Sequence, residues 1–183
     1  MAMDHFMEEV VVKHRNGMNR LLYYLSWLVI VFSGLAAAWG INIVMYSFSQ
    51  GFDVVSLIFT LVTGGIAVLT FLFHDRLLME YEYTFTNGAL DFAEVYNNKK
   101  RKSLGSLNVK TVDAFGKVSS GSFHRYLNMK DLKRMNWFLN REAELYYFFF
   151  SKDSNKRIIV FEPSEEMVNY IKQYIPRGVY QEN

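Results

Sequence analysis

The sequence predicts an α+β membrane protein: a two-helix transmembrane hairpin followed by an antiparallel β-barrel or sheet closed by a C-terminal helix. Three observations predict it. Two long runs, Leu21–Tyr46 and Val54–Phe73, contain no charged residue. Past them the hydrophobic period changes to two, and Asn87-Gly88 interrupts the alternation. Near the C-terminus Pro163 and Ser164 open a segment with apolar residues at helical spacing.

Whole-chain averages hide this division. Charged residues make up 21% of the chain and the net charge is +2, values of an ordinary soluble protein. Yet Asp53 is the one charged residue between Leu21 and Phe73, and apart from Lys13, Arg15 and Arg20 every Lys and Arg lies beyond His74. So abrupt a change of composition marks a change of solvent, from lipid to water. The small net charge gives no reason to expect a nucleic-acid partner. The chain has no cysteine, which excludes disulfides, thiolate nucleophiles and thiolate-bound metals.

About 20 apolar residues at 1.5 Å each cross a bilayer core, and both runs reach that length. In lipid each must be helical, because every backbone N–H and C=O has to find its partner within the segment. The first run is far longer than the apolar region of a cleaved signal peptide, and a second follows directly, so it reads as a retained span. Residues 47–53 form a short loop without Lys or Arg, so the helices at 21–46 and 54–73 are antiparallel neighbours. Lys13, Arg15 and Arg20 precede the first span, and Arg76 and Lys99–Lys102 follow the second. The positive-inside rule therefore places both termini in the cytoplasm, with the loop outside. Small residues four apart suit close helix approach: Gly34 with Ala38, Ala36 with Gly40, and Ser56 with Thr60 and Gly64. Packing within the hairpin is the first reading; a homodimer, or docking to another membrane protein, is the alternative. Neither span holds an ionisable residue, which argues against a proton relay.

Residues 1–20 are expected to be a cytoplasmic amphipathic segment. Met3, Phe6, Met7, Val10 and Val11 recur at helical spacing, Asp4 is placed to cap and Gly17 to break the run. An in-plane helix on the inner leaflet is one reading, a frayed tail the other.

Residues 74–183 form the cytoplasmic domain. Met79, Tyr81, Tyr83 and Phe85 alternate with Glu80, Glu82 and Thr84 in a half-buried strand. Asn87-Gly88 is the tight-turn dipeptide, and Ala89–Tyr96 returns. Residues 97–102 read as a polar, basic turn, and Leu107, Val109 and Thr111 begin a third strand reaching Phe115. In the less regular stretch from Gly116 to Met135, Met129–Arg134 is read as one helical turn, and Trp137–Leu139 follows as a short strand. Leu145–Ser151 and Arg157–Phe161 form a hairpin about the turn at 152–156. Ser164 caps the closing helix, Glu165 and Glu166 complement its dipole, Met167, Ile171, Tyr174 and Ile175 form its apolar stripe, and Pro176 ends it.

Residues 77–175 resemble the pleckstrin-homology-like (PH-like) superfold. The chain is similar in particular to a family of small bacterial membrane proteins with two N-terminal transmembrane helices and a cytoplasmic PH-like domain. The stretches Glu80–Leu104 and Ile158–Tyr180 carry the resemblance. It implies a fold and a topology and brings no activity with it.

The chemistry to weigh is sparse. Lys99, Lys100, Arg101 and Lys102 are candidate lipid-binding residues, since cations near an anionic leaflet contribute on the order of 1 kcal/mol each. Eukaryotic PH domains bind phosphoinositides through a similarly placed loop, but a solvated turn that also sets topology explains the run equally. His74-Asp75-Arg76 reads as a juxtamembrane anchor, and His124-Arg125 as a surface loop. The sequence has no phosphate loop, no HExxH and no GxSxG, so neither an enzyme nor a cofactor is expected. The expected role is a non-enzymatic adaptor that presents a protein-binding domain at the inner leaflet of the cell membrane. A sensor of anionic lipid, or an accessory subunit of a larger membrane complex, is the alternative.

Overall fold

A computed structural model describes residues 5–14, 16–152 and 155–181, without the side chain of Gln50. Met3, Asp4, Arg15, Asp153 and Ser154, which enter the readings above, lie outside the described residues. The chain forms two compact units, Asn16–Met79 and residues 5–14 with Glu80–Gln181.

The first unit is the hairpin. Its helices, α1 (Asn16–Gln50) and α2 (Val54–Phe73), are both long and apolar enough to cross a membrane. α2 has the expected bounds because Asp53 caps it, its carboxylate accepting from Val55 N at 3.0 Å and Ser56 N at 3.2 Å. α1 is longer than the apolar run: Gly17 lies inside its first turn instead of breaking the chain. Gly51, at φ +124°, ends it, and its N–H reaches the Ser47 carbonyl at 2.9 Å. The helices approach where Gly40 faces Thr60, for any Cβ on Gly40 would collide with the Thr60 side chain. One on Gly64 would lie 3.7 Å from the Cβ of Ala37.

In the second unit, residues read as an in-plane helix or a frayed tail are instead strand β1 (Phe6–Val11), antiparallel to β2 (Met79–Thr86) from Phe6 opposite Thr86 to Val11 opposite Tyr81. Residues 5–14 therefore belong to the globular domain. Its first sheet runs β1-β2-β3-β4, with β3 at Ala89–Tyr96 and β4 at Lys100–Asn108. Asn87 and Gly88 both take positive φ in the first turn. Asn97 and Asn98 do so in the second, which Lys99 N closes onto Tyr96 O at 3.0 Å. Two asparagines suffice for that turn, so Lys100–Lys102 extend β4 rather than loop.

The second sheet has the order β6-β8-β7-β5-β9, from β5 (Ala114–Lys117), β6 (Lys133–Trp137), β7 (Tyr146–Lys152), β8 (Asn155–Phe161) and β9 (Tyr180–Gln181). Two of its pairings, β6 with β8 and β5 with β9, are parallel. The expected strand at 137–139 lies earlier, at 133–137. The one helical turn expected at 129–134 is not there: helix α3 lies earlier, at Gly121–Leu127, and residues 133 and 134 already belong to β6. The arrangement is two sheets and no closed barrel. Where main-chain pairing would join them, the hydroxyls of Tyr81 and Tyr83 donate to the carbonyls of Asn136 and Trp137 on β6.

The core explains the unbroken apolar run in β7. Phe148 stacks on Phe161 and Phe115, and Phe92 of the first sheet meets Phe161 and Trp137. On the opposite face Tyr147 and Phe149 are covered by Phe123 and Tyr126 of α3. A strand buried on both faces loses the polar alternation of a half-exposed one. Helix α4 (Glu165–Tyr174) is capped by Ser164, buries Met167, Val168 and Ile171, and sets Tyr170 and Tyr174 against Phe85.

Candidate partner-binding surface

Three hollows in the globular domain share Glu144, on the loop between β6 and β7. The first, about 380 Å³, lies between Glu9–Val12 of β1 and its exit, Ala143–Glu144, and the β8–α4 junction at Glu162–Glu165. Its walls are built by two carboxylates. Glu162 accepts from Asn140 N at 3.0 Å and Asn140 Nδ2 at 2.8 Å, and His14 Nε2 stands 3.8 Å away. Glu9 receives the Ser164 N–H on both oxygens, at 2.9 and 3.0 Å. Burial nevertheless raises the Glu9 pKa; the Ser164 bonds oppose the shift, and the charges of Glu162 and Glu166 add to it.

The second hollow, about 210 Å³, lies between β5, α4 and β9. There Lys117 pairs with Glu144, whose other oxygen accepts from Tyr146 OH at 3.2 Å, and Lys172 sits 4.1 Å above the Tyr180 ring. The Lys117 bond lowers the Glu144 pKa, while burial pushes that of Tyr146 up to about 12. The third, about 430 Å³, has Val118, Arg141, Glu142 and Leu145 among its walls. All three are open, and charged and apolar side chains mix in their walls. None of Asn140, Glu144 and Lys117 stood out in the sequence, because each is a polar residue in a loop or at a strand end with no motif around it.

The candidate lipid-binding residues are divided. Lys99 is in the turn and Lys100 exposed beside it. Arg101 pairs with the buried Glu82 at 2.7 Å, and Lys102 with Glu94 at 3.3 Å, where Tyr96 OH also donates at 2.6 Å. The Glu82 pKa is raised by burial and by contact with Glu8, against the pull of Arg101.

Of the candidate helix-packing residues, Thr60 and Gly64 lie at the crossing and Ser56 is buried. Gly34 and Ala38 are not there: a Cβ on Gly34 would touch nothing within 4 Å, and Ala38 is exposed. Their turn of α1 presents Ala37 and Gly40 to α2 instead. His74 is buried, its ring stacked with Tyr23 and Phe71 and its Nδ1 2.6 Å from the Phe71 carbonyl, as suits an anchor. His124 and Arg125 lie exposed on α3 rather than in a loop.

No curated protein and no solved structure matches the chain. One family does, described as a bacterial PH-like domain (DUF6106), and its match extends over residues 3–181. With nearly the whole chain matched, from β1 to β9, the protein belongs to this bacterial PH-like domain family.

Proposed function

We propose that the protein is a non-enzymatic, membrane-anchored adaptor. The hairpin fixes it in the cell membrane with both termini cytoplasmic, and the PH-like domain offers a protein-binding surface at the inner leaflet. The observation that carries this reading is the convergence of three open hollows on Glu144. Their carboxylates are engaged by main-chain and side-chain donors, an arrangement that shapes a docking surface better than it serves proton transfer. The test places a photo-crosslinking amino acid at Glu142 in the full-length protein in its native membranes. Discrete adducts there, and none from a control at exposed Ser106 on β4, are expected. A smear common to both positions would overturn the reading.

A second reading, recognition of anionic lipid, is favoured by strand direction. Lys100 lies at the end of the first sheet where β1 finishes and β2 starts, the end from which both connections to the hairpin leave. Because Arg101 and Lys102 are paired with carboxylates, Lys100→Glu is the informative variant. This reading expects salt-sensitive retention of anionic lipid by the purified protein, reduced in Lys100→Glu. Equal retention by both proteins rejects it.

A further inference from the structure

Three of the sheet edges among the described residues carry features that keep a strand from accepting a neighbour. β4 opens with Lys100-Arg101-Lys102, its register with β3 shifts at Phe92/Ala93, and Gly105 sits at φ +147°. β6 begins with Lys133-Arg134, and its last carbonyls take tyrosine hydroxyls. β9 has two residues. Charge, irregularity and shortness are the usual means of blunting an edge. β1 has six residues in unbroken register, with no Lys, Arg or Pro.

The bond from Asn87 N to His5 O, at 3.0 Å, sets the parity of β1. Met7, Glu9 and Val11 direct their main-chain groups to β2, so those of Phe6, Glu8 and Val10 face away from the sheet. Beyond the strand the same row continues, and there the chain itself supplies a neighbour. Asn140 donates to Val12 O at 2.9 Å and accepts from His14 N at 2.8 Å, as the peptide group of an adjacent strand would. The edge from Phe6 to Val10 receives no such partner among the described residues.

The side chains on this row define what fits. Phe6 and Val10 are 61% and 52% exposed, with Glu8 exposed between them. Glu8 touches Glu82, which pairs with Arg101, so two carboxylates here are set against that guanidinium. A second β1 laid antiparallel would set glutamates near glutamates, which is unfavourable across strands.

We infer that β1 is an acceptor edge for an extended segment of a partner protein in which a Lys or Arg stands between two apolar residues at alternate positions. The segment adds as a fifth strand to the first sheet, its cation opposite Glu8 and its apolar residues against Phe6 and Val10. This rests on the adaptor reading and names the partner's chemistry.

The test uses full-length protein in neutral-lipid nanodiscs and two labelled peptides, Thr-Val-Thr-Arg-Thr-Val-Thr and the same sequence with Glu for Arg, read by anisotropy. The Arg peptide is expected to bind several-fold more tightly, and Glu8→Lys to reverse the preference. Val10→Pro removes an outward N–H without breaking a bond to β2, and is expected to weaken both peptides at an unchanged melting temperature. Equal affinities that neither variant changes would overturn the inference. So would a concentration-dependent dimer abolished by Val10→Pro, which would make a second copy the occupant. Crosslinks from Glu142 that persist while the peptides show no preference would leave the adaptor reading standing and remove this one. Loss of those crosslinks would remove the adaptor reading itself.

Discussion

The hydroxyl of Tyr83 is held between two main-chain groups, donating to the Trp137 carbonyl and accepting from Glu162 N at 3.3 Å. Its ring is fully buried and packs edge-on against Phe92 and Phe161, so no water can replace the hydroxyl easily. Tyr83→Phe leaves both groups unpaired and is expected to cost about 1–3 kcal/mol. Thermal unfolding of the full-length protein in nanodiscs measures the loss, and faster hydrogen exchange at the Glu162 amide locates it. Tyr81→Phe should cost less, because the contact of Tyr81 with the Asn136 carbonyl is 3.5 Å long. Glu9 gives a pH dependence. Its folded pKa lies above the ordinary 4.5, so between the two values the folded state holds a proton that the unfolded state has released. Stability then falls as pH rises through that window. A melting temperature that declines from pH 4.5 upward, with a shallower slope in Glu9→Gln, is the expected result. Some slope should remain in the variant, because the Glu82 pKa is raised as well. An identical slope in both proteins would mean that Glu9 is not the group responsible.

Elements were legible in the sequence where one local signal dominated. α2 has the bounds its composition predicts, since the solvent boundary and an Asp cap coincide there. The Asn87-Gly88 turn and the capped α4 followed from turn and cap residues, whereas β7 and β8 pair as expected but take in Lys152, Asn155 and Lys156, which read as turn. β1 was misread because Phe6, Met7, Val10 and Val11 satisfy a helical period. The strand's inward face is Met7, Glu9 and Val11, and Glu9 breaks the alternation because its carboxylate is committed to Ser164. The parallel partnership of β6 with β8 joins residues more than twenty apart, and Lys133–Trp137 has no periodicity to announce it. For the candidate site, composition gave the basic run but not the ion pairs of Arg101 and Lys102, which depend on cross-strand register. Within the hairpin, the near approach of Ala37 and Gly64 can be tested because the chain has no cysteine of its own. The 3.7 Å separation lies in the range of about 3.5–4.5 Å spanned by Cβ atoms of disulfides. Ala37→Cys with Gly64→Cys should therefore oxidise readily. With a protease site inserted after Gly51, the cut halves should stay joined until reduced. Adding Gly40→Leu, which forces Thr60 away, should suppress the bond, and Gly34→Leu should not.

At the scale of the whole molecule, orientation decides whether the domain can act where the adaptor reading needs it. The loop Gly51–Asp53 carries no Lys or Arg, whereas Lys13 precedes α1, Arg20 lies near its start and the basic run follows α2. That asymmetry favours keeping the charged flanks on the side of synthesis, because moving Lys and Arg across the bilayer is opposed. Two connections, one before α1 and one after α2, tie the domain to the hairpin, so β1 and β2 are held on the same side as each other. A single Cys at Phe52 should therefore react with a membrane-impermeant maleimide in intact cells. One at exposed Ser119, beside α3, should react only after permeabilisation. The converse pattern would place β1, the hollows around Glu144 and Lys100 outside the cell, where cytoplasmic partners and the anionic inner leaflet are out of reach. Labelling of both sites in intact cells would point to two orientations. The charge difference could then be strengthened by adding Lys beside Asn19, which should drive the population to one.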